Sequence, residues 1–437
     1  MDLNNVEFTW IKNKPMNWKI HRVKNHFVLT KNKTDSPEGY PILSLTMRGI
    51  IERDISSNEG QLPETYNGYN LLEKDDIVFN PMDLISGWVD CSPHEGLISP
   101  SYKVIRPTSS EVDIKFYTYY FQTHYKEKIF FPFGEGVHYE YRWGLGTETL
   151  KNFPIVVPPL LEQQQIVSFL DTKTSLIDSL IEKTQRKIEL LKEKRTSLIN
   201  EVVTKGLNPN VEMKDSGVEW IGEIPSNWGC FEFKFVINLL TDFESNGSFK
   251  SVKENVKVLD DIGPVWYVRM TDLENNNIRN DKCKYCDFDT YEFLHKTKLD
   301  GGELLITKRG EIGKVYIFPN DSGISTLGPN SYLLKLDESE VSPNFLFYFY
   351  KSDFGQITLK LMDKSTTIGS IYKDDLKNSK VIIPPLSEQQ QIVDYLDEYT
   401  QRIDKTISIE EKRIELLKEY RQSLISEVVT GKRKVVE

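Results

Sequence analysis

The sequence predicts an α+β protein in which two mixed α/β domains are joined by two long helices that form an antiparallel coiled coil, in a pseudo-twofold arrangement. The first observation is a duplication: residues 158–204 recur as residues 384–430, and 29 of these 47 positions are identical. The second is a heptad pattern of apolar residues in both copies, which is typical of a coiled coil. The third is that residues 16–153 and 226–379, which precede the copies, share only scattered features. The predicted segments are a first domain at 1–155, a helical region at 156–205, a second domain at 206–380 and a helical region at 381–437.

The first domain opens on WIKNKPMNW at Trp10 and contains β-rich stretches separated by Gly, Pro and Asn turns. Strands are predicted at Asp76–Asn80 and Lys103–Arg106, and a short helix at Ile114–Tyr125.

The second domain opens on WIGEIPSNW at Trp220, which matches the opening of the first domain. A strand is predicted at Gly302–Lys308 and a helix at Asn344–Ser352. The openings repeat while the contents differ. This pattern favours two versions of one recognition module, and a repeat this long indicates two domains rather than a solenoid.

Each helical region begins with a Pro-Pro-Leu motif, at Pro158 and at Pro384. The residue before a proline is disfavoured in a helix, so each helix must begin after its proline pair. Ser387 followed by Gln390 predicts a capping box for the second helix. The first copy has Leu161 in place of the serine, and its start is expected to be less well fixed.

Polar residues within the apolar seam decide the orientation of the two helices. In a parallel pair Arg195 would face Arg421, and two like charges in a partly buried layer are costly. An antiparallel pair instead places Arg195 opposite Glu410 and Thr184 opposite Arg421, so every layer becomes compatible. The alternative is two surface helices, each packed on its own domain. The predicted seam residues are Ile177, Ile181, Thr184, Ile188, Leu191, Arg195, Leu198, Val202, Ile403, Ile407, Glu410, Ile414, Leu417, Arg421, Leu424 and Val428.

Composition narrows the class of protein. With 39% hydrophobic residues, no apolar run approaches the roughly 20 residues that span a bilayer, so no membrane segment is predicted. Four cysteines in 437 residues cannot form a disulfide framework and favour a cytoplasmic protein. The net charge of −10 argues against a general coat for nucleic acid, so DNA contacts would depend on local patches and on partners.

These features resemble the specificity subunits of type I restriction-modification systems. The resemblance rests on the PPLxEQ signature at Pro158 and Pro384, the helices that follow, WIGEIPSNW from Trp220, and GLISPSYKVIRP at Gly96–Pro107. It covers nearly the whole chain. One departure is that WIKNKPMNW, from Trp10, lacks the GEIP middle of the second copy.

The resemblance implies a protein that performs no chemistry itself. Each variable domain, a target recognition domain in this family, would read one half of a bipartite sequence in double-stranded DNA. The helices would set the spacing and dock two methyltransferase subunits, which use S-adenosylmethionine, and two restriction and translocase subunits, which use ATP and Mg²⁺, would complete the complex. Accordingly, no catalytic, cofactor or metal residues are predicted in this chain. Neither NPPY nor NPPF is present, and Gly310–Lys314 lacks the spacing of a phosphate-binding loop.

Candidate DNA contacts follow from the chemistry of base reading, which needs forked or amide donors on loops, supported by residues that hold phosphates. In the first domain the candidates are Arg48, Asn80, Tyr102, Lys103 and Arg142. In the second domain they are Arg269, Lys308, Arg309, Lys314, Lys364, Ser365 and Thr366.

Two other classes of function remain open at this level. One is a DNA-modifying enzyme, a fused nuclease or methyltransferase whose domains carry catalysis. The other is a purely structural coiled-coil adaptor. The missing catalytic motifs disfavour the enzyme, and two unlike domains disfavour the adaptor.

Overall fold

A computed structural model describes residues 9–12, 14–34, 37–54, 65–136, 143–274, 279–365 and 367–435. The chain divides into unit 1, Met1–Gln185 with Glu411–Glu437, and unit 2, Arg186–Glu410. The predicted mixture of helix and sheet in two repeated domains with two long helices is confirmed. The five short elements predicted from sequence are all present, with ends that differ by no more than two residues.

Unit 1 is built around a four-stranded antiparallel sheet whose order is Phe27–Thr30, Lys103–Pro107, Ile77–Phe79 and Val89–Cys91. Its other strands are Lys19–Arg22, Leu43–Thr46, Gly49–Glu52, Asn70–Leu72, Gly96–Ile98 and Pro154–Val157. Its α-helices before the first long helix are Thr9–Lys12, Ile114–Lys126 and Thr147–Asn152, with 3₁₀ turns at Val23–Asn25 and Phe131–Phe133.

The helix Ile114–Lys126 supplies much of the core of unit 1. Asp113 caps it by accepting the amide of Phe116 at 3.0 Å, which satisfies one of the free donors of the first turn. Phe116, Tyr117, Tyr120 and Phe121 are fully buried against the sheet. Aromatic packing of this kind contributes both buried area and specific ring geometry.

Unit 2 contains two large sheets. The four-stranded sheet has the order Ile237–Asp242, Ser331–Leu336, Leu304–Thr307 and Val315–Ile317. The five-stranded sheet has the order Val258–Leu259, Lys284–Cys286, Val265–Val268, Ser325–Leu327 and Lys298–Leu299. The remaining strands are Met213–Asp215, Glu223–Pro225, Gly229–Glu232 and Lys380–Ile383. The α-helices before the second long helix are Phe249–Asn255, Met270–Glu274, Phe288–Phe293, Pro343–Lys351, Asp353–Leu361 and Lys373–Asn378, with 3₁₀ turns at Phe233–Val236, Phe243–Asn246 and His295–Thr297.

The two units share one frame although their sequences differ. In each, the four-stranded sheet runs in the same order from a strand after the opening segment to a short edge strand. In each, a strand near the opening also pairs with the strand before the long helix: Lys19–Arg22 with Pro154–Val157, and Gly229–Glu232 with Lys380–Ile383. The five-stranded sheet of unit 2 also has a counterpart in unit 1, where Gly49–Glu52 pairs with Leu43–Thr46, a parallel bridge joins Ile42 to Leu97, and Gly96–Ile98 pairs with Asn70–Leu72. Among the described residues, only the edge strand Val258–Leu259 is an addition in unit 2.

The glutamine of each PPLxEQ signature fixes the start of a long helix. Gln163 is buried, and its Nε2 donates to the carbonyls of Glu111 and Pro158 at 2.8 Å each. Its Oε1 accepts the amide of Asp113 at 2.8 Å. The side-chain amide of Gln163 therefore both donates and accepts hydrogen bonds within the domain, as expected for a buried polar group.

The second copy repeats this arrangement. Gln389 Nε2 donates to the carbonyls of Glu340 and Pro384 at 2.9 Å each, and Oε1 accepts the amide of Ser342 at 2.7 Å. The signature is thus a clamp between the long helix and the segment that leads into the domain's own helix.

The glutamate of the signature binds the tryptophan of the opening segment. Glu162 Oε1 accepts Trp18 Nε1 at 2.9 Å, and Glu388 Oε2 accepts Trp228 Nε1 at 3.0 Å. Both indole rings are almost completely buried. The repeated NW and EQ motifs, separated by about 150 residues of unlike sequence, are therefore two sides of one contact.

The predicted capping box is wrong. The long helices are Leu160–Lys205 and Leu386–Val429, so each begins directly after its proline pair and the two starts are equivalent. Ser387 lies inside the helix, and the amides of Glu388 and Gln389 bond to the carbonyl of Pro385 at 2.8 and 3.0 Å. The glutamine clamp, present in both copies, sets the start instead, so the first helix loses nothing by having Leu161.

The long helices pack against each other in opposite directions within each unit. In unit 2, Lys187 Nζ lies 2.6 Å from Glu410 Oε1 and Arg195 Nε lies 3.1 Å from Asp404 Oδ1. Residue numbers therefore increase along one helix in the direction in which they decrease along the other. In unit 1, Ile177 belongs to the same buried core as Leu424 and Val428. All sixteen predicted seam residues are buried or partly buried.

The predicted register of the seam is wrong. Arg195 was expected opposite Glu410 and binds Asp404, six residues earlier; Arg421 was expected opposite Thr184 and binds Asp178 at 3.0 Å, also six residues earlier. The helices are therefore shifted by about one heptad. The arginines lie at the flank of the seam, where long side chains reach carboxylates and keep part of their charge in water.

A double-mutant cycle distinguishes the two registers. The cycle Arg195→Ala with Asp404→Ala is expected to give a coupling energy of about 0.2–1 kcal/mol, typical of an exposed ion pair. The matched cycle of Arg195→Ala with Glu410→Ala is expected to give none, because Glu410 binds Lys187. The measurement is urea unfolding followed by circular dichroism. Coupling in the second cycle alone would restore the register derived from sequence.

No helix among the described residues combines the length and the apolar character needed to cross a bilayer.

Candidate nucleic-acid interface

Five of the predicted DNA-contact residues lie where two central strands end in the equivalent sheets. We call this surface the strand-end face; it comprises residues 307–309 with 330–332 in unit 2, and residues 80–82 with 101–103 in unit 1. The equivalence follows from register, since Ile306 pairs with Tyr332 and Phe79 pairs with Lys103. Nonlocal strand pairing therefore brings together residues that are remote in sequence.

A passing backbone segment closes the face in the same way in both units. In unit 2 the amide of Ile371 donates to the carbonyl of Lys308 at 2.9 Å, and in unit 1 the amide of Leu145 donates to the carbonyl of Pro81 at 2.7 Å. The side chain of Tyr332, on the neighbouring strand, also binds this segment. Tyr332 Oη donates to the carbonyl of Ile371 at 2.8 Å.

Beside the face in unit 2 lies a cleft of about 430 Å³ that gathers three predicted cations. Arg269, Arg309 and Lys314 line it together with Asn330. These four side chains come from three loops, because Arg309 and Lys314 both lie between the strands Leu304–Thr307 and Val315–Ile317. The cleft therefore concentrates donors suited to phosphate oxygens and to base edges.

Lys308 is committed to an internal ion cluster. Its Nζ lies 2.9 Å from Asp242 Oδ2 and also binds Glu244, while Lys373 Nζ reaches Asp242 Oδ1 at 3.2 Å. Partial burial opposes the charge on Lys308, but the bonds to Glu244 and Asp242 raise its pKa above the ordinary lysine value. The ammonium stays charged and is held by protein carboxylates.

Two cations of the cleft are also paired with carboxylates. Arg269 Nη2 lies 2.6 Å from Asp272 Oδ1, and its bonds to that carboxylate raise its pKa. Lys314 Nζ lies 2.8 Å from Glu274 Oε1 and 2.7 Å from Glu311 Oε2, and these bonds raise its pKa. Both side chains therefore shape the cleft and carry a charge that is already compensated.

Arg309 differs from these three cations. Its side chain is exposed, and no carboxylate within the described part of the chain pairs with it. Its backbone is fixed, since its amide donates to the carbonyl of Asn330 at 3.2 Å and it forms an isolated β-bridge with Ser370. An uncompensated guanidinium on a fixed backbone is suited to bidentate recognition of an acceptor pair.

The polar run predicted at residues 364–366 leads toward the segment that closes the face. Lys364 Nζ binds Asp375 Oδ1 at 2.7 Å, and Ser365 Oγ donates to Asp363 Oδ1 at 2.6 Å. Thr366 lies outside the described residues.

In unit 1 the strand-end face carries different chemistry. Asn80 Oδ1 accepts the amide of Met82 at 3.1 Å, so its amide group is oriented by a local turn. Lys103 Nζ donates to the carbonyl of Leu145, just as Tyr332 Oη donates to the carbonyl of Ile371 at the equivalent position in unit 2. Burial lowers the pKa of Lys103. Tyr102 is half-buried against the core cluster that includes Val104. Lys103 and Tyr102 thus help to build the face.

The other predictions for unit 1 lie elsewhere. Arg48 is exposed on the turn between strands Leu43–Thr46 and Gly49–Glu52, where Thr46 Oγ1 accepts its amide at 3.1 Å. Arg142 lies outside the described residues.

Sequence reasoning missed Asn330. This residue has a φ of 69°, in the left-handed region that asparagine tolerates better than most residues, and its exposed side chain lines the cleft beside Arg309. The Gly-Pro-Asn sequence at Gly328–Asn330 is a turn signal that could have identified it.

Comparison with known proteins gives a consistent result. The family model described as the type I restriction modification DNA specificity domain matches residues 19–190 and 237–419. A putative type I restriction enzyme specificity subunit, MjaX, from Methanocaldococcus jannaschii is 24% identical over 99% of this chain and 97% of its own length.

Two solved structures have a similar fold. One is a chain of a type I R-M system, with a TM-score of 0.71 and 15% identity over 96% of this chain and 99% of that chain. The other is the HsdS subunit from Thermoanaerobacter tengcongensis, with a TM-score of 0.57 and 15% identity over 96% of this chain and 98% of that chain.

Proposed function

The chain belongs to the family of type I restriction-modification DNA specificity subunits, and from that premise we propose that units 1 and 2 each read one half of a bipartite DNA site. The observation that carries this proposal is a shared frame with unlike reading surfaces. The clamps at Gln163 and Gln389 match bond for bond. The strand-end faces present Asn-Pro-Met at residues 80–82 and Thr-Lys-Arg at residues 307–309. Two equal frames with different side chains suit two different half-sites.

The chemistry would reside in partner subunits. Two methyltransferase subunits with S-adenosylmethionine would modify the site, and two restriction and translocase subunits with ATP and Mg²⁺ would cut DNA. The long helices support such docking because they expose large apolar side chains, namely Leu176, Leu190, Ile409, Leu416 and Tyr420. Exposed apolar residues on long helices are suited to bind other proteins.

Electrostatics also favours reading within an assembly. The net charge is −10, and three of the four cations at the strand-end face and cleft of unit 2 are compensated by carboxylates. Affinity for duplex DNA rises steeply with the number of phosphates neutralised, so this chain supplies little nonspecific affinity. Partner subunits that close around the DNA would supply the remaining cationic surface.

A domain exchange tests this function. Replacing residues 16–153 with the corresponding segment of a relative of different specificity is expected to change one half of the methylated sequence and leave the other half and the spacer unchanged. Methylome sequencing of cells that contain the exchanged subunit and its partners is the measurement. The reciprocal exchange of residues 226–379 is the matched control and should change the other half. Changes in both halves from one exchange would contradict independent reading.

A further inference from the structure

A group of metal-ligand residues lies in unit 1, apart from the strand-end face. One ring nitrogen of His21, one of His26 and one carboxylate oxygen of Glu111 lie within 4.8 Å of one another. All three line a cleft of about 670 Å³ that opens to solvent, so an ion and a water molecule have access.

The two histidines point their nitrogens at each other. His21 Nδ1 and His26 Nε2 are 2.6 Å apart, and the two rings are nearly parallel, with an angle of 9° between them. Two imidazole nitrogens at this distance must share a proton. The other ring nitrogen of His26, Nδ1, is buried, forms no hydrogen bond with any described residue and lies 3.9 Å from Glu111 Oε2.

We propose that His21, His26 and Glu111 bind a divalent transition metal, of which Zn²⁺ and Co²⁺ are the appropriate probes. Two imidazoles and one carboxylate are a donor set that suits these ions, with a fourth position for water from the cleft. The ion replaces the shared proton. Metal–nitrogen bonds of about 2.0–2.1 Å at a tetrahedral angle require the two nitrogens to separate to about 3.3 Å. His21 is partly exposed and has room to make this shift of less than 1 Å.

The three ligands lie on segments that the frame already fixes. His21 belongs to the strand Lys19–Arg22, and the carbonyl of His26 accepts the amide of Thr108 at 2.8 Å. The carbonyl of Glu111 is held by the clamp of Gln163. A metal here would tie the opening strand of unit 1 to the segment before Ile114–Lys126.

Unit 2 shows that the frame does not require these histidines. Phe231 occupies the strand position equivalent to His21, since Phe231 pairs with Val381 as His21 pairs with Ile155. Val236 is equivalent to His26, because its carbonyl accepts the amide of Asp337 at 2.9 Å. The same backbone positions thus carry two apolar residues in unit 2.

Arg22 and Lys24 line the same cleft, and their positive charges weaken the binding of a cation there. The Arg22 guanidinium is turned to Asn152 Oδ1, which its Nη1 contacts at 3.1 Å. The single carboxylate of Glu111 therefore matters for affinity, because it is the ligand that compensates the charge of the ion.

The test uses the untagged full-length chain, stripped with a chelator and then given Zn²⁺ alone. We expect one Zn²⁺ per chain by mass spectrometry of the metal content, a higher melting temperature with Zn²⁺, and visible absorption of a tetrahedral site with Co²⁺. The conservative variant Glu111→Gln, at an exposed position, should bind Zn²⁺ at least tenfold more weakly. The double variant His21→Phe with His26→Val should lose the ion and the thermal shift.

The double variant copies the residues of unit 2 at the equivalent positions, which makes it a suitable folding control by circular dichroism. It also leaves Cys283 and Cys286 unchanged, so metal bound by those thiols would remain in every sample. Absence of stoichiometric Zn²⁺ in the parent chain would overturn the proposal. So would equal Zn²⁺ content in the parent chain and in the double variant.

Discussion

Replacing Trp228 with alanine is expected to lower the free energy of unfolding of unit 2 by about 3–5 kcal/mol. Trp228 is 1% exposed and packs in the main core of that unit, with Phe345 in an edge-to-face contact at 6.4 Å. The substitution removes the largest side chain of that core and leaves a cavity. It also removes the donor that Glu388 accepts at 3.0 Å.

Trp228→Phe separates these two contributions. Phenylalanine keeps most of the buried ring and lacks the indole N–H, so the expected loss is about 1.5–3 kcal/mol, the range for a hydrogen bond to a charged group. The equivalent change Trp18→Ala is the matched control, because Trp18 contacts Glu162 in unit 1 at 2.9 Å.

Hydrogen exchange followed by mass spectrometry locates the effect, since a chain with two units need not unfold in one step. Trp228→Ala is expected to reduce protection in Lys380–Ile383 and Pro343–Lys351. Trp18→Ala is expected to do so in Pro154–Val157 and Ile114–Lys126. Equal loss in both units from either change would show that the two contacts do not act locally.

The sequence was most informative where the chain repeats itself. Identical PPLxEQ motifs predicted two long helices and two frames, because a duplicated segment needs duplicated contacts. The sequence did not reveal the partners in those contacts. Gln163 binds the carbonyl of Glu111 across 52 residues, and Glu162 binds Trp18 across 144. Every residue has a backbone carbonyl, so the sequence does not indicate which carbonyls the glutamine binds, and the clamp could not be derived from it.

The helix register was missed for a related reason. A carboxylate is available to Arg195 in two registers about one heptad apart, because Asp404 and Glu410 both contact the first long helix. Long arginine side chains reach either carboxylate. Packing of the buried layers decides between the registers, and packing volume is a property of the folded pair that a pattern of apolar letters does not contain.

The strand-end face was predicted in part. Lys308 and Arg309 follow a strand that was recognised from its residues, which placed them at its end. The antiparallel pairing of Leu304–Thr307 with Ser331–Leu336 then brings Asn330 beside them. That pairing depends on long-range contacts, and the carboxylates that occupy Lys308 come from residues 242 and 244. Adjacent residues of the same charge thus acquire different roles.

Replacing Arg309 with alanine is expected to weaken binding of the assembled complex to its own DNA site by about 1–3 kcal/mol, the range for one bidentate base contact. Unrelated DNA should lose much less affinity, and the free energy of unfolding should change little because the side chain is exposed. Fluorescence anisotropy with the cognate duplex and a scrambled duplex at a fixed salt concentration is the measurement, because affinity depends on salt.

Lys308→Met is the matched control, since it removes the neighbouring charge and keeps the length of the side chain. It leaves Asp242, whose side chain is 6% exposed, with Lys373 as its remaining cation. The expected result is a loss of about 1–3 kcal/mol in the free energy of unfolding, the cost of a partly unpaired charged hydrogen bond. If Arg309→Ala weakens binding to both duplexes equally, Arg309 holds a phosphate. If it weakens neither, the strand-end face of unit 2 is not the reading surface, and the bases are contacted by another part of the unit.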